Sequence, residues 1–181
     1  MRRVASVLAL ASILVVVAAG CGGGQSEEEK WAGNVCTDIS NWQSQVKKST
    51  DNIQAAVQSP GTGTLATINS EIQKAVNATS QLAANLKALN PPNTDEGAQA
   101  KQQLDALGTQ VEKTTTQAKQ TIQSVPEGAS TSETIKKLSP LAPALQSLAT
   151  NTSNTLAAVK ASGEKIKEGF DKADSCKQFR D

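Results

Sequence analysis

Residues 64–89, TLATINSEIQKAVNATSQLAANLKAL, carry the periodicity that determines the fold class of this chain. Apolar residues recur there at intervals of three, four or seven, which places them on one face of an α-helix. They are Leu65, Ile68, Ile72, Ala75, Leu82, Leu86 and Leu89. We predict a helix from about Thr64 to Leu89 that stops at Asn90-Pro91-Pro92, because proline cannot donate to the helical hydrogen-bond ladder.

The same periodicity predicts three more helices in the rest of the chain. One precedes residues 64–89 and runs from about Glu28 to Gln58. Another begins at residues 93–96 and ends near Val125. The last begins near Thr131 and continues to the C-terminus.

Local signals mark two of these helix boundaries. Asn93-Thr94-Asp95-Glu96 is predicted to form a capping box, in which the Asn93 oxygen accepts a free backbone N–H and Glu96 reaches back. In the fourth helix, Pro140 and Pro143 predict a kink or a short separate helix before Leu145.

The predicted fold class is all-α, because the chain has no convincing strand pattern. Short connections between successive helices force neighbours to run antiparallel, so the simplest architecture is an up-down-up-down four-helix bundle with a Pro-kinked fourth helix. Helices of this length are roughly 40 to 50 Å long, which makes the expected domain a rod.

Polar residues interrupt the apolar faces of the predicted helices at Ser49, Thr79, Thr114 and Thr152. Two interpretations remain open. The core is simply diluted by small and polar side chains, or the interior accommodates a ligand, which would require a cavity of a few hundred Å³.

The first twenty residues have the three parts of an export signal. Arg2 and Arg3 are followed by an apolar run from Val4 to Val17 and then by small residues. This run is too short to span a membrane, because fourteen helical residues at about 1.5 Å each reach roughly 21 Å across a hydrocarbon core of about 30 Å.

The small residues lead directly to Cys21, and this arrangement resembles the lipobox of bacterial lipoprotein precursors, with Ala18 where that pattern most often has Leu. The resemblance implies a signal peptide at residues 1–20 and lipidation of Cys21. Two or three acyl chains would then anchor the protein to the bacterial cell membrane on its extracytoplasmic side. The alternative is an ordinary secretory signal that leaves Cys21 as a free thiol.

The mature chain is expected to have two parts. Residues 21–29 are glycine-rich and then acidic, which predicts a flexible tether. Residues 30–181 form the helical domain. Of the 18 basic residues in the whole chain, Arg2 and Arg3 leave with the leader, so sixteen remain against 17 acidic ones. This balance argues against nucleic acid as a partner.

Cys36 and Cys176 are the two remaining cysteines, and they lie near the two ends of the mature chain. In an oxidising compartment we expect them to form one disulfide. All four aromatic residues lie near these cysteines in the sequence, which predicts one cluster where the first and last helices meet. If exposed, Trp31 and Trp42 would be partner-binding residues; core packing is the alternative.

The composition predicts that the protein is not an enzyme. The chain has no histidine and no tyrosine, so the commonest general base and the usual haem and zinc ligands are missing. No cofactor or metal site is expected. The first functional hypothesis is a membrane-anchored helical module that binds an envelope protein or serves a structural role. The alternative is a binding protein for a small amphiphilic ligand held between the helices.

Overall fold

The computed structural model describes residues 24–59, 63–126 and 128–180. Within these ranges the chain forms six α-helices and a C-terminal 3₁₀ helix, without strands, which confirms the predicted all-α class. The helices are α1 (Glu27–Gln58), α2 (Thr64–Ala88), α3 (Asp95–Gln123), α4 (Thr131–Leu138), α5 (Leu141–Lys160) and α6 (Glu164–Lys172), and the 3₁₀ helix is Asp174–Phe179. The predicted signal peptide and the lipidation site Cys21 lie outside the described residues.

Helix α1 starts slightly before the predicted boundary. The Ser26 side chain accepts a hydrogen bond from the Glu29 N–H at 3.1 Å, and three glutamates occupy the first turn. Negative side chains at this end are favourable because the helix dipole is positive there. The last three residues of the predicted tether, residues 27–29, are therefore helical.

Helix α3 is capped by a different residue from the predicted one. Thr94, not Asn93, is the N-cap, and its hydroxyl accepts from the Gly97 N–H at 3.0 Å. Glu96 does not close a capping box; its side chain packs against Gly163. The prediction was wrong by one residue because several cap-forming side chains stand next to each other here.

The predicted fourth helix is in fact three helices. Of the two expected outcomes at the prolines, the separate short helix forms: α4 ends before Pro140, and α5 begins directly after it. Pro143 is tolerated because it lies in the first turn of α5, where its missing N–H has no partner to lose. A second break, at Gly163, separates α5 from α6 and was not predicted.

The helices pack against one another in a cyclic order. α1 packs mainly on α2, α2 on α3, and α3 on α5, while α6 and the 3₁₀ helix return to α1. Asn85 of α2 donates a hydrogen bond to Asp38 of α1, and Trp42 of α1 donates one to Thr79 of α2. The later α1 residue contacts the earlier α2 residue, so this helix pair is antiparallel.

The main hydrophobic core lies at the end of the domain where α1 begins. It contains the Cys36–Cys176 disulfide, with a Cα–Cα distance of 5.1 Å, so the predicted pair comes together. Trp31 meets Phe170 edge to face, with ring centroids 6.0 Å apart. Thus the aromatic residues and the bridge join the first and last parts of the described chain, as the sequence predicts.

A smaller core lies at the opposite end and is built by the second half of α1, the first half of α2, the end of α3, and α4. Its buried members are Ile68, Ile72, Val76, Ala118 and Leu138. Helix α4 is held at its start by a capping box: the Ser130 hydroxyl accepts from the Glu133 N–H at 3.3 Å, and the Glu133 carboxylate accepts from the Ser130 N–H at 3.0 Å.

Gly169 allows α6 to approach α1 closely, and replacing it by alanine tests this contact. A Cβ at this position would lie 2.6 Å from the backbone carbon and oxygen of Glu28. We expect Gly169→Ala to lower the free energy of unfolding by about 1 to 3 kcal/mol, since overpacking forces the backbone to move. Urea unfolding measures the change.

Gly33→Ala is the matched control on α1. Its added Cβ would meet Ser175 and Ala173 at 3.5 and 3.7 Å, which is ordinary van der Waals contact. Alanine also favours helix over glycine by about 1 kcal/mol, so this variant should be as stable as the wild type or more stable. Equal losses in the two variants would contradict the proposed close packing of α6 on α1.

Candidate functional site

A cavity of about 420 Å³ lies inside the smaller core, between α1, α2, α3, α4 and α5. Most of its wall is aliphatic. The apolar lining residues are Ile53, Val57, Ile68, Ile72, Ala75, Val76, Ala118, Ile135, Leu138, Leu141, Ala144 and Leu145. A cavity of this size and character is typical of a site for a small apolar or amphiphilic molecule.

The cavity exists because two helices of the domain fail to meet. Among the described residues, α1 and α5 make at most marginal contact with each other, although both line the cavity. Three of the lining positions are alanines, Ala75, Ala118 and Ala144, which stand beside larger Ile, Val and Leu side chains. Small side chains leave the space between helix axes unfilled, so the volume stays open instead of becoming core.

The cavity opens to solvent where apolar side chains are unusually exposed. Val57 of α1 and Ile135 of α4 are 39% and 38% exposed, and they are the large hydrophobic side chains that stand out as exposed in the described part of the chain. Both line the cavity. Their exposure brings apolar surface to the entrance, which is where an apolar ligand would enter.

Three of the polar lining residues donate their hydroxyl hydrogens to backbone carbonyl groups. Thr50 donates to the Val46 carbonyl at 2.9 Å, Thr114 to Gln110 at 3.1 Å, and Ser139 to Lys136 at 2.9 Å. A hydroxyl that donates its single proton in this way still offers lone pairs to another donor. These three groups therefore present hydrogen-bond acceptors to the cavity.

Glu71 is a carboxylate that packs behind the cavity wall. The residue is 6% exposed, and Lys74 Nζ lies 2.6 Å from Glu71 Oε1. The hydrogen bond from Lys74 lowers the pKa of Glu71, burial opposes this effect, and hydrogen bonds from Asn52 and from the cavity residue Ser49 lower the pKa further. Glu71 is thus held ionised beside the cavity.

The four polar positions singled out in the sequence divide between the two ends. Ser49 and Thr114 line the cavity. Thr79 instead accepts a hydrogen bond from Trp42 Nε1 at 3.1 Å, and buried Thr152 donates to the Leu148 carbonyl at 2.8 Å. Two therefore support the interpretation of a ligand-accommodating interior, and two are satisfied components of a packed core.

The other predicted site residues lie away from the cavity. Cys36 and Cys176 form the bridge at the opposite end. Trp31 and Trp42 are 4% and 3% exposed, so both rings are buried. The partner-binding prediction required exposed rings, and core packing is the alternative that matches the structure. Cys21 is outside the described residues.

The α4 capping box and the exposed apolar side chains at the cavity entrance were not predicted from the sequence. Ser130 and Glu133 have the Ser-x-x-Glu spacing of a capping box and could have been found from it. Val57 and Ile135 carry no local sequence signal that distinguishes an exposed apolar side chain from a buried one.

A second depression among the described residues has a more polar lining. This depression of about 540 Å³ between the start of α1 and the 3₁₀ helix is lined mainly by polar and charged side chains such as Glu29, Lys30 and Asp174.

None of the helices in the described residues combines the length and the hydropathy that a membrane span requires. In the same residues no three His, Cys, Asp or Glu side chains cluster as metal ligands would.

Comparison with protein-family models, with curated proteins and with solved structures finds no match for this chain.

The ionised Glu71 predicts how stability depends on pH. A carboxyl whose pKa is lower in the folded state adds stability above its ordinary pKa of 4.5, and this stability is lost as the pH falls through the folded pKa. We expect the free energy of unfolding to decrease below pH 4.5 and Glu71→Gln to make this decrease shallower, as measured by urea unfolding across pH. The substitution Glu112→Gln, at an exposed position in the middle of α3, is the control. Identical pH profiles for wild type and Glu71→Gln would contradict the role of Glu71.

Proposed function

We propose that this protein is an extracytoplasmic lipoprotein whose helical domain binds a small amphiphilic molecule in the cavity between α1 and α5. The observation that supports this function is an apolar cavity of about 420 Å³ with Val57 and Ile135 exposed at its entrance. Small-molecule sites are concave, mostly apolar spaces of a few hundred Å³, and this cavity matches them in size and lining.

The binding hypothesis takes precedence over the hypothesis of a helical module that docks an envelope protein. Trp31 and Trp42 would have been partner contacts in that module if they were exposed, whereas both are buried in the disulfide core. We also propose that the protein is not an enzyme, since the chain has no histidine or tyrosine to serve as a general acid or base.

The proposed architecture is one antiparallel bundle with four members. α1, α2 and α3 are three of them, and the segment from α4 to α6 takes the fourth place in three pieces. The support is the cyclic order of packing, in which α5 packs on α3 while α6 returns to α1. Division of the fourth member leaves α5 free to stand away from α1 beside the cavity.

The start of α1, which follows the proposed lipid anchor in sequence, and the cavity lie at opposite ends of this bundle. Helix α1 begins six residues after Cys21, and Ser49 is the first α1 residue to line the cavity. The helical rise between Glu27 and Ser49 corresponds to roughly 33 Å. The anchor would thus attach the disulfide end to the membrane and leave the cavity at the far end.

Binding is tested with Nile red, an uncharged fluorescent dye that brightens in apolar surroundings. The wild-type domain should bind it saturably, and Ala118→Phe should weaken binding about tenfold or more, because a phenyl ring displaces at least two buried methylene equivalents of about 0.8 kcal/mol each. Ala144→Phe fills the cavity from α5 and should act in the same way.

Ala98→Phe is the control for this experiment, since it makes the same change at an exposed position of α3 that does not line the cavity. Circular dichroism establishes that every variant is folded. The proposal is wrong if folded wild-type protein binds no dye, or if Ala98→Phe and the two cavity variants weaken binding equally.

Anchoring is tested by growth of a lipoprotein-processing bacterium with a radiolabelled fatty acid. The full-length chain should incorporate label, and Cys21→Ser should abolish incorporation because the acylated thiol is gone. Cys36→Ser, which also removes one cysteine, should keep the label. Undiminished label in Cys21→Ser would rule out Cys21 as the lipid site.

A further inference from the structure

We infer that the cavity selects an amphiphile with one alkyl chain and an uncharged head that bears hydroxyl groups, such as a fatty alcohol or a monoacylglycerol. This inference rests on the proposed binding function and specifies the ligand class of the same site. Three properties of the cavity support it: its volume, the state of its polar groups, and the charges around it.

The volume fits one chain. The cavity of about 420 Å³ lies in the lower part of the range of small-molecule sites, and its aliphatic wall matches one alkyl chain. A lipid with two chains would have to place both in this space or leave one of them in water.

The polar groups fit a head that donates hydrogen bonds. Thr50 and Ser139 are exposed at the rim and Thr114 is half-buried, and all three have donated their protons to backbone carbonyls. A ligand hydroxyl can donate to their remaining lone pairs. A carboxylate or phosphate only accepts, and among the lining side chains the Gln146 amide is the group that retains N–H donors.

The charges around the cavity disfavour an anionic head. No lysine or arginine is among the lining residues, whereas the carboxylate of Glu71 lies behind the wall and is bonded by Ser49. Among the neighbouring cations, Lys47 pairs with Asp51 at 2.8 Å and Lys74 pairs with Glu71 at 2.6 Å, while Lys48 of α1 is exposed and does not line the cavity. Lys136 and Lys137 of α4 are exposed and lie outside the lining.

Competition against bound Nile red measures this preference. Monopalmitoylglycerol and hexadecanol should displace the dye at concentrations about tenfold or more below those required for palmitate, because an anionic head finds too few donors to replace its water. Measurements at about pH 8 keep palmitate ionised. Dipalmitoylglycerol, with the same head chemistry and a second chain, should compete weakly.

Two variants test the residues that set the preference. Thr50→Val combined with Thr114→Val removes two acceptors and should reduce the advantage of the neutral ligands while dye binding persists. Ser139→Lys places a cation at the rim and should improve competition by palmitate by roughly tenfold, as expected for a charge-assisted hydrogen bond. Circular dichroism establishes that both variants are folded.

Each outcome separates the inference from the function on which it rests. Equal or stronger competition by palmitate overturns the uncharged-head assignment and leaves the binding function standing, and equal competition by dipalmitoylglycerol overturns the single-chain assignment. If folded wild-type protein binds neither the dye nor any of these ligands, the proposed function itself fails. If the double threonine variant keeps the full neutral preference, the hydroxyls do not set it.

Discussion

The bridge between Cys36 and Cys176 connects α1 to the C-terminal 3₁₀ helix across 140 positions of sequence. A loop of this length corresponds to about 5 kcal/mol in the chain-entropy description of disulfides, which is comparable with the net stability of many small domains. The bridge lies within a core that also buries Trp31, Trp42 and Phe170. The largest side chains of the protein and its covalent link are therefore concentrated at one end, and the packing of the other helices is held in place from there.

Because the disulfide and the aromatic side chains stabilise one end, the domain can tolerate a loosely packed core at the opposite end. An unfilled volume weakens a core, because the groups around it lack contact partners. The smaller core has Ala118 and Ile72 where the main core has aromatic rings, and it surrounds the cavity of about 420 Å³. At this end α1 and α5 both line the cavity but make at most marginal contact with each other, while α6 and the 3₁₀ helix contact α1. The cavity thus lies at the end away from the disulfide and the aromatic rings.

Sequence periodicity predicted the elements whose packing is regular. Helices α1 and α2 form within one residue of the expected boundaries, and the bridge and its aromatic neighbours come together because their proximity in sequence reports their proximity in space. Gly163 was missed because a single glycine within an apolar repeat is usually tolerated in a helix. The shift of the α3 cap from Asn93 to Thr94 reflects neighbouring residues with similar capping ability, which only tertiary context distinguishes.

The cavity could be anticipated as an alternative but not located from the sequence. Polar positions in the apolar faces were compatible with a diluted core, which was the preferred interpretation, and with a ligand-accommodating interior, since Ser49 and Thr152 look alike in sequence. They differ in their partners: Thr152 donates to its own helix in a fully packed layer, while Ser49 meets Glu71 at the edge of an empty space. That space lies where α5 and α1 make at most marginal contact, and Ser139 and Leu141, on either side of the helix break at Pro140, line it. The departures from the simple four-helix pattern therefore occur in the segment from α4 to α6, part of which lines the cavity. Irregular packing of this kind is expected near a functional site.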